Sequence, residues 1–124
     1  MKYIKLFEKY NLNGRIYCIC NLSKNDSFTI DKYYDLYVQN SRSNWSENII
    51  KFKVKDSQNN FYELQIVDEF DKKNLASVNF DGNSINDIDE DIITYWMYFK
   101  PILFIKEEDV EKYELNRAIK NYNL

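Results

Sequence analysis

The middle of the chain alternates apolar and polar side chains in two successive runs, and this pattern constrains the fold more than any other feature. In residues 50–55, Ile, Phe and Val alternate with three lysines, and in residues 62–66, Tyr, Leu and Ile alternate with Glu and Gln. A period of two is that of a β-strand with one buried face. With the polar connection at residues 56–60, the pattern predicts an antiparallel hairpin whose lysine face lies opposite Glu63.

Four further segments favour extended structure. Residues 15–22 are rich in β-branched, aromatic and cysteine side chains and predict a strand that is covered on both faces. Its regular alternation places Ile16, Cys18, Cys20 and Leu22 on one face and Tyr17 and Ile19 on the other. Residues 28–30 lead into a strand at 33–39, and residues 75–80 and 102–105 are short extended candidates.

Three segments favour helices. Residues 2–10 place aromatic side chains at helical spacing opposite lysines, which predicts a short amphipathic helix within residues 1–12, ended by Asn11 to Gly14. Ser84 is a suitable N-cap for a helix that runs to Pro101. Its apolar stripe consists of Ile85, Ile88, Ile92, Tyr95, Trp96 and Phe99. Residues 107–122 predict a last helix, because their acidic side chains come first and their basic ones last.

These elements together predict an α+β fold in a single domain over residues 1–124. We expect a small, bent antiparallel sheet or SH3-like barrel over residues 14–80. The N-terminal helix at 1–12 precedes it, and a C-terminal part with two helices, at 84–122, packs on it.

The composition excludes most catalytic machinery. The chain has no histidine, two glycines and one proline, so histidine bases, histidine-ligated metals and glycine-rich phosphate loops are all absent. On a strand, Cys18 and Cys20 would point to the same face with their sulfurs poorly placed for a disulfide, and Cys-x-Cys alone is a weak zinc signal. We therefore expect no enzyme, no cofactor and no metal. Charges interrupt every apolar run, so we expect a cytoplasmic protein with no membrane segment.

The charge is divided unevenly along the chain. Residues 1–62 carry 10 basic and 6 acidic side chains, while residues 63–124 carry 7 and 14, so the halves have net charges of +4 and -7. The acidic cluster and a nearby tryptophan form one candidate surface for a protein partner: Asp81, Asp87, Asp89, Glu90, Asp91 and Trp96. Such acids also suit the start of a helix or a solvated face. Their spacing from Asn79 partly matches a calcium loop, and they could also imitate nucleic-acid phosphates on a target protein.

A second candidate surface lies in the basic half. Lys51, Lys53 and Lys55 place ammonium groups about 6.6 to 7 Å apart on one strand face, near the spacing of nucleic-acid phosphates. Arg15 adds a further charge, and Tyr33 and Tyr37 add stacking surfaces. Alternating lysines are also typical of a solvated strand that is protected against aggregation.

The first 70 residues resemble a loose group of proteins. The chain opens with Met-Lys-Tyr-Ile-Lys-Leu-Phe-Glu-Lys-Tyr, and a Cys-containing strand at 16–20, Phe28-Thr29-Ile30 and a Lys-Val-Lys-Asp hairpin at 53–56 follow. This order resembles that of small uncharacterised proteins of large tailed phages, which open with Met-Lys-x-Ile-Lys-x-Phe-Glu-x-Phe/Tyr and continue into a small SH3-like barrel. The resemblance implies a phage-encoded chain with that barrel, and it implies no catalytic residue.

The sequence predicts a non-enzymatic interaction protein that binds a protein partner through its acidic and aromatic surface. A phage-encoded inhibitor of a host defence component, acting in the bacterial cytoplasm, is the most specific form of this hypothesis. The first alternative is a nucleic-acid-binding module that uses the lysine strand. The second is a structural or self-assembling virion protein, which would form a homo-oligomer.

Overall fold

The computed structural model describes residues 10–23, 26–42, 48–75, 85, 88–97 and 100–122. Within them, six antiparallel strands follow one another around a closed barrel, and the last strand pairs with the first. The strands are β1 (Asn11–Asn21), β2 (Tyr33–Arg42), β3 (Asn48–Lys55), β4 (Phe61–Ile66), β5 (Thr94–Met97) and β6 (Lys100–Lys106). Helix α1 (Glu69–Leu75) lies between β4 and β5, and helix α2 (Val110–Tyr122) follows a 3₁₀ turn at Glu107–Asp109. The prediction of a small antiparallel barrel is confirmed. The predicted last helix is present as α2, whereas α1 was not predicted.

The hairpin predicted from the alternating pattern is confirmed in place and register. Phe52 lies opposite Leu64 and Val54 opposite Tyr62, so the apolar side chains of both strands share the inner face. The connection begins at Asp56, which is buried. Asn59 adopts a left-handed backbone conformation with φ of 67°, which Asn tolerates better than most residues.

The inner core fills the barrel, because its members come from every strand. It is a cluster of ten buried residues: Ile16, Cys18, Phe28, Leu36, Val54, Leu64, Tyr95, Met97, Ile102 and Phe104. Phe28 enters from the loop before β2, and its ring lies 4.9 to 5.4 Å, centroid to centroid, from the rings of Tyr34, Tyr62 and Phe104.

An outer core lies on one flank of the barrel, because its strand residues come only from β1, β5 and β6. Its buried members are Tyr17, Ile19, Cys20, Val67, Leu75, Ile85, Ile92, Leu103 and Ile105. Val110 and Tyr113 of α2 pack against it. The hydroxyl of Tyr17 donates hydrogen bonds to Asp31 at 2.9 Å and to Glu114 of α2 at 3.4 Å. The helix therefore covers one flank and leaves the outer face of β2, β3 and β4 to solvent.

The predicted alternation of β1 is wrong beyond Cys18. The register with β6 shifts between Cys18 and Cys20, which lie opposite Phe104 and Leu103. At this bulge an extra residue enters the strand, so side chains beyond it change face. Cys18 consequently packs in the inner core, whereas Cys20 packs in the outer core together with Ile19, and Leu22 packs against that same core. Both cysteines are free and buried.

The helix predicted from Ser84 to Phe99 is wrong where the structure describes it. Thr94–Met97 form β5, which pairs with β4 and β6 and thereby closes the barrel. Ile85 and Ile92 do point into one core, as the helical spacing predicted. The run Ile-Ile-Thr-Tyr-Trp, however, is rich in the β-branched and aromatic residues that favour strands.

Other boundaries also differ from prediction. The barrel extends past the predicted limit of residue 80, because β5 and β6 belong to it. Asn11–Gly14, which were expected to end the N-terminal helix, form the start of β1, where Gly14 has φ of 85° beside a register shift. Residues 1–9 of the predicted N-terminal helix lie outside the described residues. Leu75 ends α1 rather than starting an extended segment, and residues 76–80 lie outside the described part.

Candidate functional site: the outer face of strands β1 to β4

The six residues of the predicted basic surface all lie on the outer side of neighbouring strands. Arg15 of β1 lies opposite Asp35, Tyr37 lies opposite Lys53, and Lys55 also lies opposite Asp35. Tyr33 lies four residues from Tyr37 on β2, and Lys51 lies two residues from Lys53 on β3, so their side chains point to the same outer side. Two aromatic residues that the sequence did not assign to a site, Tyr10 and Phe61, extend this group. We call the whole set the aromatic–lysine face: Tyr10, Arg15, Tyr33, Tyr37, Lys51, Lys53, Lys55 and Phe61.

Three rings form a continuous row at the centre of the aromatic–lysine face. The Phe61 ring is stacked with Tyr10 at a centroid distance of 6.2 Å and contacts Tyr37 edge-on at 5.1 Å. Phe61 nevertheless keeps 46% of its surface exposed. Leu12, which lies opposite Tyr37 on β1, is exposed as well. Solvent therefore reaches an apolar row that a folded monomer has no need to expose.

Cations lie over the tyrosine rings of this face. The ammonium group of Lys53 is 4.7 Å from the centroid of Tyr10, and that of Lys55 is 5.6 Å from Tyr37. The guanidinium of Arg15 is 4.5 Å from the ring of Tyr33. Each such contact is worth about 0.5–1 kcal/mol at an exposed site. These contacts hold the cations in place beside the aromatic row before any partner arrives.

Arg15 is additionally tied to the 3₁₀ turn before α2. Its guanidinium donates hydrogen bonds to the carboxylate of Glu107 and forms an ion pair with it. This hydrogen bond raises the pKa of Arg15 and lowers the pKa of Glu107. Because its charge is already balanced within the chain, Arg15 is less available to a partner than the lysines are.

Unlike Arg15, the lysines of β3 form no ion pair with a described carboxylate. Glu63 lies directly opposite Lys53 and Asp35 opposite Lys55. Among the described residues, the ion pairs within 4.0 Å involve Arg15, Lys106 and Lys112, and none involves Lys51, Lys53 or Lys55. The cross-strand register that the sequence predicted is present without the ion pair, because the ammonium groups of Lys53 and Lys55 lie over rings instead. Their charges remain available to a carboxylate or phosphate of a partner.

The described acids of the predicted partner surface lie against α2. The ammonium group of Lys112 is 3.5 Å from an oxygen of Asp89 and 3.1 Å from one of Asp91. Asn116 donates a hydrogen bond to Asp89 at 3.4 Å. The backbone N–H of Asp91 donates to the Asp89 carboxylate, and together with Lys112 it lowers the pKa of Asp89. Asp89 and Asp91 thus form a turn that docks the helix, rather than the start of one.

The other members of that surface are dispersed. Glu90 is exposed in the same turn. Trp96 lies on β5 opposite Gln65 and Leu103 and packs against the outer core. Asp81 and Asp87 lie outside the described residues, and so does most of the partial calcium-loop match. In the part of the chain that the structure describes, no group of three or more Cys, Asp or Glu is arranged to hold a metal ion.

Phe61 and Tyr10 were missed for different reasons. The alternating pattern already contained the signal for Phe61, because residues 61, 63 and 65 point to the side of the strand opposite to the half-buried Tyr62 and the buried Leu64. Tyr10 was assigned to the N-terminal helix, and only its contact with Lys53 and Phe61 places it on this face.

Comparison of the chain with protein-family models, with curated proteins and with solved structures finds no match. Within the described ranges, neither helix has the length and apolar character that crossing a membrane requires.

Proposed function

We propose that this chain is a non-enzymatic binding module with an SH3-like barrel, and that it binds a protein partner through the aromatic–lysine face. The observation that carries the proposal is the row formed by the exposed Phe61 and the half-buried Tyr10 and Tyr37, with Lys53 and Lys55 over two of its rings. Six consecutive antiparallel strands, closed by the pairing of β1 with β6, support the barrel type.

The composition of the face favours a protein over other ligands. Aromatic residues are enriched at the centres of protein interfaces and supply most of the binding energy there. Leu12 adds an exposed aliphatic side chain next to Tyr37. Because the lysines of β3 have no ion-pair partner in the described residues, we infer that the partner presents carboxylates around an apolar contact.

The test compares two exposed phenylalanines. The wild-type chain is immobilised, bound bacterial proteins are identified, and the affinity of a purified partner is then measured by calorimetry. Phe61→Ala should weaken binding about tenfold or more, which corresponds to about 1.4 kcal/mol. Phe70→Ala, on α1 and outside the face, is the matched control because Phe70 is 72% exposed and should change the affinity less than about twofold. Capture of no stoichiometric protein, or equal effects of the two variants, would contradict the proposal.

A second function, binding of single-stranded nucleic acid, is favoured by one observation. The lysines of β3 and the rings beside them combine the cations and stacking surfaces that such binding uses. Asp35 and Glu63 lie within the same face and oppose phosphate binding. A gel-shift titration with single-stranded DNA and RNA at low salt decides between the two, since phosphate contacts weaken steeply as salt rises. Binding that is lost in Lys53→Ala and is steeply salt-dependent would favour nucleic acid.

Two narrower hypotheses are tested separately. If the chain is a phage-encoded inhibitor of a host defence component, its expression should restore plaque formation by a phage that the defence restricts, and Phe61→Ala should abolish this effect. If it is instead a self-assembling virion protein, light scattering of the purified chain should give a homo-oligomer whose size depends on concentration.

A further inference from the structure

Strand β3 is longer than its pairing with β4. On one side, β2 pairs with the whole of β3, from Arg42 opposite Asn48 to Asp35 opposite Lys55. On the other side, β4 pairs only with the part from Phe52 to Lys55 and then turns to β5. Among the described strands, none pairs with Asn48–Lys51 on the side away from β2. We call this segment the open edge of β3.

Apolar side chains lie exposed where β3 and β4 separate. Ile50 lies two residues before Phe52, and Ile66 lies two residues after Leu64, so each is on the inner side of its strand. Both would face the inner core if the two strands stayed paired. They are instead 56% and 43% exposed. The next inner residue of β3 is Phe52, whose ring lies 5.3 Å, centroid to centroid, from the ring of Tyr95. A further strand in this gap would cover Ile50 and continue the pattern of the barrel.

The outer side of the open edge carries a positive charge. Lys51 is exposed and lies opposite the neutral Gln39 of β2. It has no carboxylate within 4.0 Å among the described residues. An added strand with an acidic side chain beside Lys51 would gain a cross-strand charge pair. A second copy of the open edge carries Lys51 and no acidic side chain, so it offers no such charge pair.

We propose that the open edge of β3 accepts an extended segment of a protein partner as an added strand, and that this segment alternates apolar and acidic side chains. Its backbone hydrogen-bonds to Asn48–Lys51, its apolar side chains cover Ile50, and its carboxylates face Lys51. The inference rests on the proposed function in that both make the chain a protein-binding module. It assigns the partner's conformation and charge at the open edge, and Lys51 belongs both to that edge and to the aromatic–lysine face.

The probe is a labelled peptide in which Glu alternates with Val, compared with the same peptide carrying Lys in place of Glu. Fluorescence anisotropy with the full chain should show saturable binding of the Glu peptide and about tenfold weaker binding of the Lys peptide. Lys51→Glu should weaken binding of the Glu peptide about tenfold, and Ile50→Asp should abolish it. Lys32→Glu is the control, because Lys32 is exposed, lies outside the aromatic–lysine face and precedes by seven residues the Gln39 that is opposite Lys51. Its effect should be less than about twofold, since charges beyond about 8 Å are screened at physiological salt.

Hydrogen exchange supplies a readout of the bound conformation. Alternate amides of a strand point to the same edge, so the Glu peptide should slow exchange at amides within Asn48–Lys51 and leave those of Phe52–Lys55 unchanged. Because Ile50 is already exposed, Ile50→Asp should keep the wild-type midpoint of unfolding. An unchanged midpoint would show that the variant loses binding without losing its fold.

Four results would overturn the inference. These are no saturable binding of the Glu peptide, equal binding of the Lys peptide, equal losses in Lys51→Glu and Lys32→Glu, or self-association of the chain that Ile50→Asp removes. The last result would identify a second copy as the occupant. Phe61→Ala separates the two proposals. If it abolishes peptide binding, the peptide occupies the aromatic–lysine face, and the open-edge inference fails while the proposed function stands. If it leaves peptide binding unchanged but has no effect on the captured partner either, the proposed function fails and the open-edge inference stands.

Discussion

The turn of the β3–β4 hairpin depends on one buried carboxylate, and its removal gives the most direct test of the structural argument. One oxygen of Asp56 accepts hydrogen bonds from the backbone N–H groups of Gln58 at 2.9 Å and Asn60 at 2.8 Å. The backbone N–H of Asp56 also donates to the carbonyl of Asn60 at 2.9 Å. The side chain thus fixes the turn that sets the register of the hairpin.

The expected loss in the free energy of unfolding follows from the two hydrogen bonds that the Asp56 carboxylate accepts. A hydrogen bond to a charged group contributes about 1.5–3 kcal/mol, but Gln58 and Asn60 are exposed, so water replaces part of what is lost. We expect Asp56→Ala to lower the free energy of unfolding by about 2 kcal/mol. With a urea m-value of about 2 kcal/mol/M, the midpoint of unfolding should fall by about 1 M. Ser57→Ala, at the next and exposed position, is the control and should shift the midpoint little.

The effect should depend on pH in a defined direction. Burial alone would raise the pKa of Asp56, but the backbone hydrogen bonds from Asn60 and Gln58 and a hydrogen bond with Tyr62 outweigh it, so the pKa is lowered. Its stabilisation is therefore complete above the unfolded-state pKa of about 3.9 and is lost as pH falls through the lower folded-state value. Asp56→Asn keeps an acceptor oxygen without the charge and should cost about 1 kcal/mol at neutral pH.

Urea denaturation followed by circular dichroism at neutral and acidic pH checks both statements. The difference between wild type and Asp56→Asn should narrow as pH falls below about 4, because the wild-type side chain then becomes neutral too. The reasoning is refuted if Asp56→Ala is no more destabilising than Ser57→Ala, or if the difference between wild type and Asp56→Asn is the same at both pH values.

Three further predictions concern the two cores. Phe28→Ala should cost about 3 kcal/mol or more in urea denaturation, because Phe28 is buried among three rings, whereas the exposed Phe70→Ala should cost less than about 0.5 kcal/mol; similar costs would contradict the position of the inner core. The thiols of Cys18 and Cys20 should react with a disulfide reagent about a hundredfold more slowly in the folded chain than in urea, and fast reaction of either thiol would show that it is not buried. Burial, with Glu108 and Asp109 nearby, raises the pKa of Tyr95 to about 12, so its stabilisation is complete below the unfolded-state pKa of about 10 and is lost as pH rises above it. Tyr95→Phe should lessen the alkaline fall in unfolding free energy measured by urea denaturation, and an unchanged fall would contradict this prediction.

Local pattern was sufficient for the elements whose periodicity is regular. The strands at 33–39, 50–55, 62–66 and 102–105 and the helix at 107–122 were all predicted, because each has an uninterrupted period or a matching order of charges. The structure of the segment from Ile92 to Met97 was predicted wrongly, because the spacing of its apolar residues fits both the helical period of 3.6 and the strand period of 2. This segment contributes a strand because the barrel closes through a strand between β4 and β6, and that pairing joins residues far apart in the chain.

The candidate site was predicted in part. The parity of Arg15, Tyr33, Tyr37 and the β3 lysines follows from sequence, and the barrel brings them onto one face as expected. The sequence did not indicate that Lys53 and Lys55 would lie over rings rather than pair with Glu63 and Asp35. The choice between a ring and a carboxylate depends on positions a few ångströms apart, which only the packed strands define.

By itself the sequence determined a small antiparallel sheet, the hairpin at its centre and the absence of histidine chemistry, because these depend on residue type and short-range period. Tertiary structure decided how the sheet closes, on which side each cysteine lies and which flank stays open. The bulge after Cys18 moves Cys20 to the outer core, and α2 covers β1, β5 and β6 but not β2, β3 and β4. These features depend on the pairing of residues far apart in the chain, and the open face that results carries the proposed function.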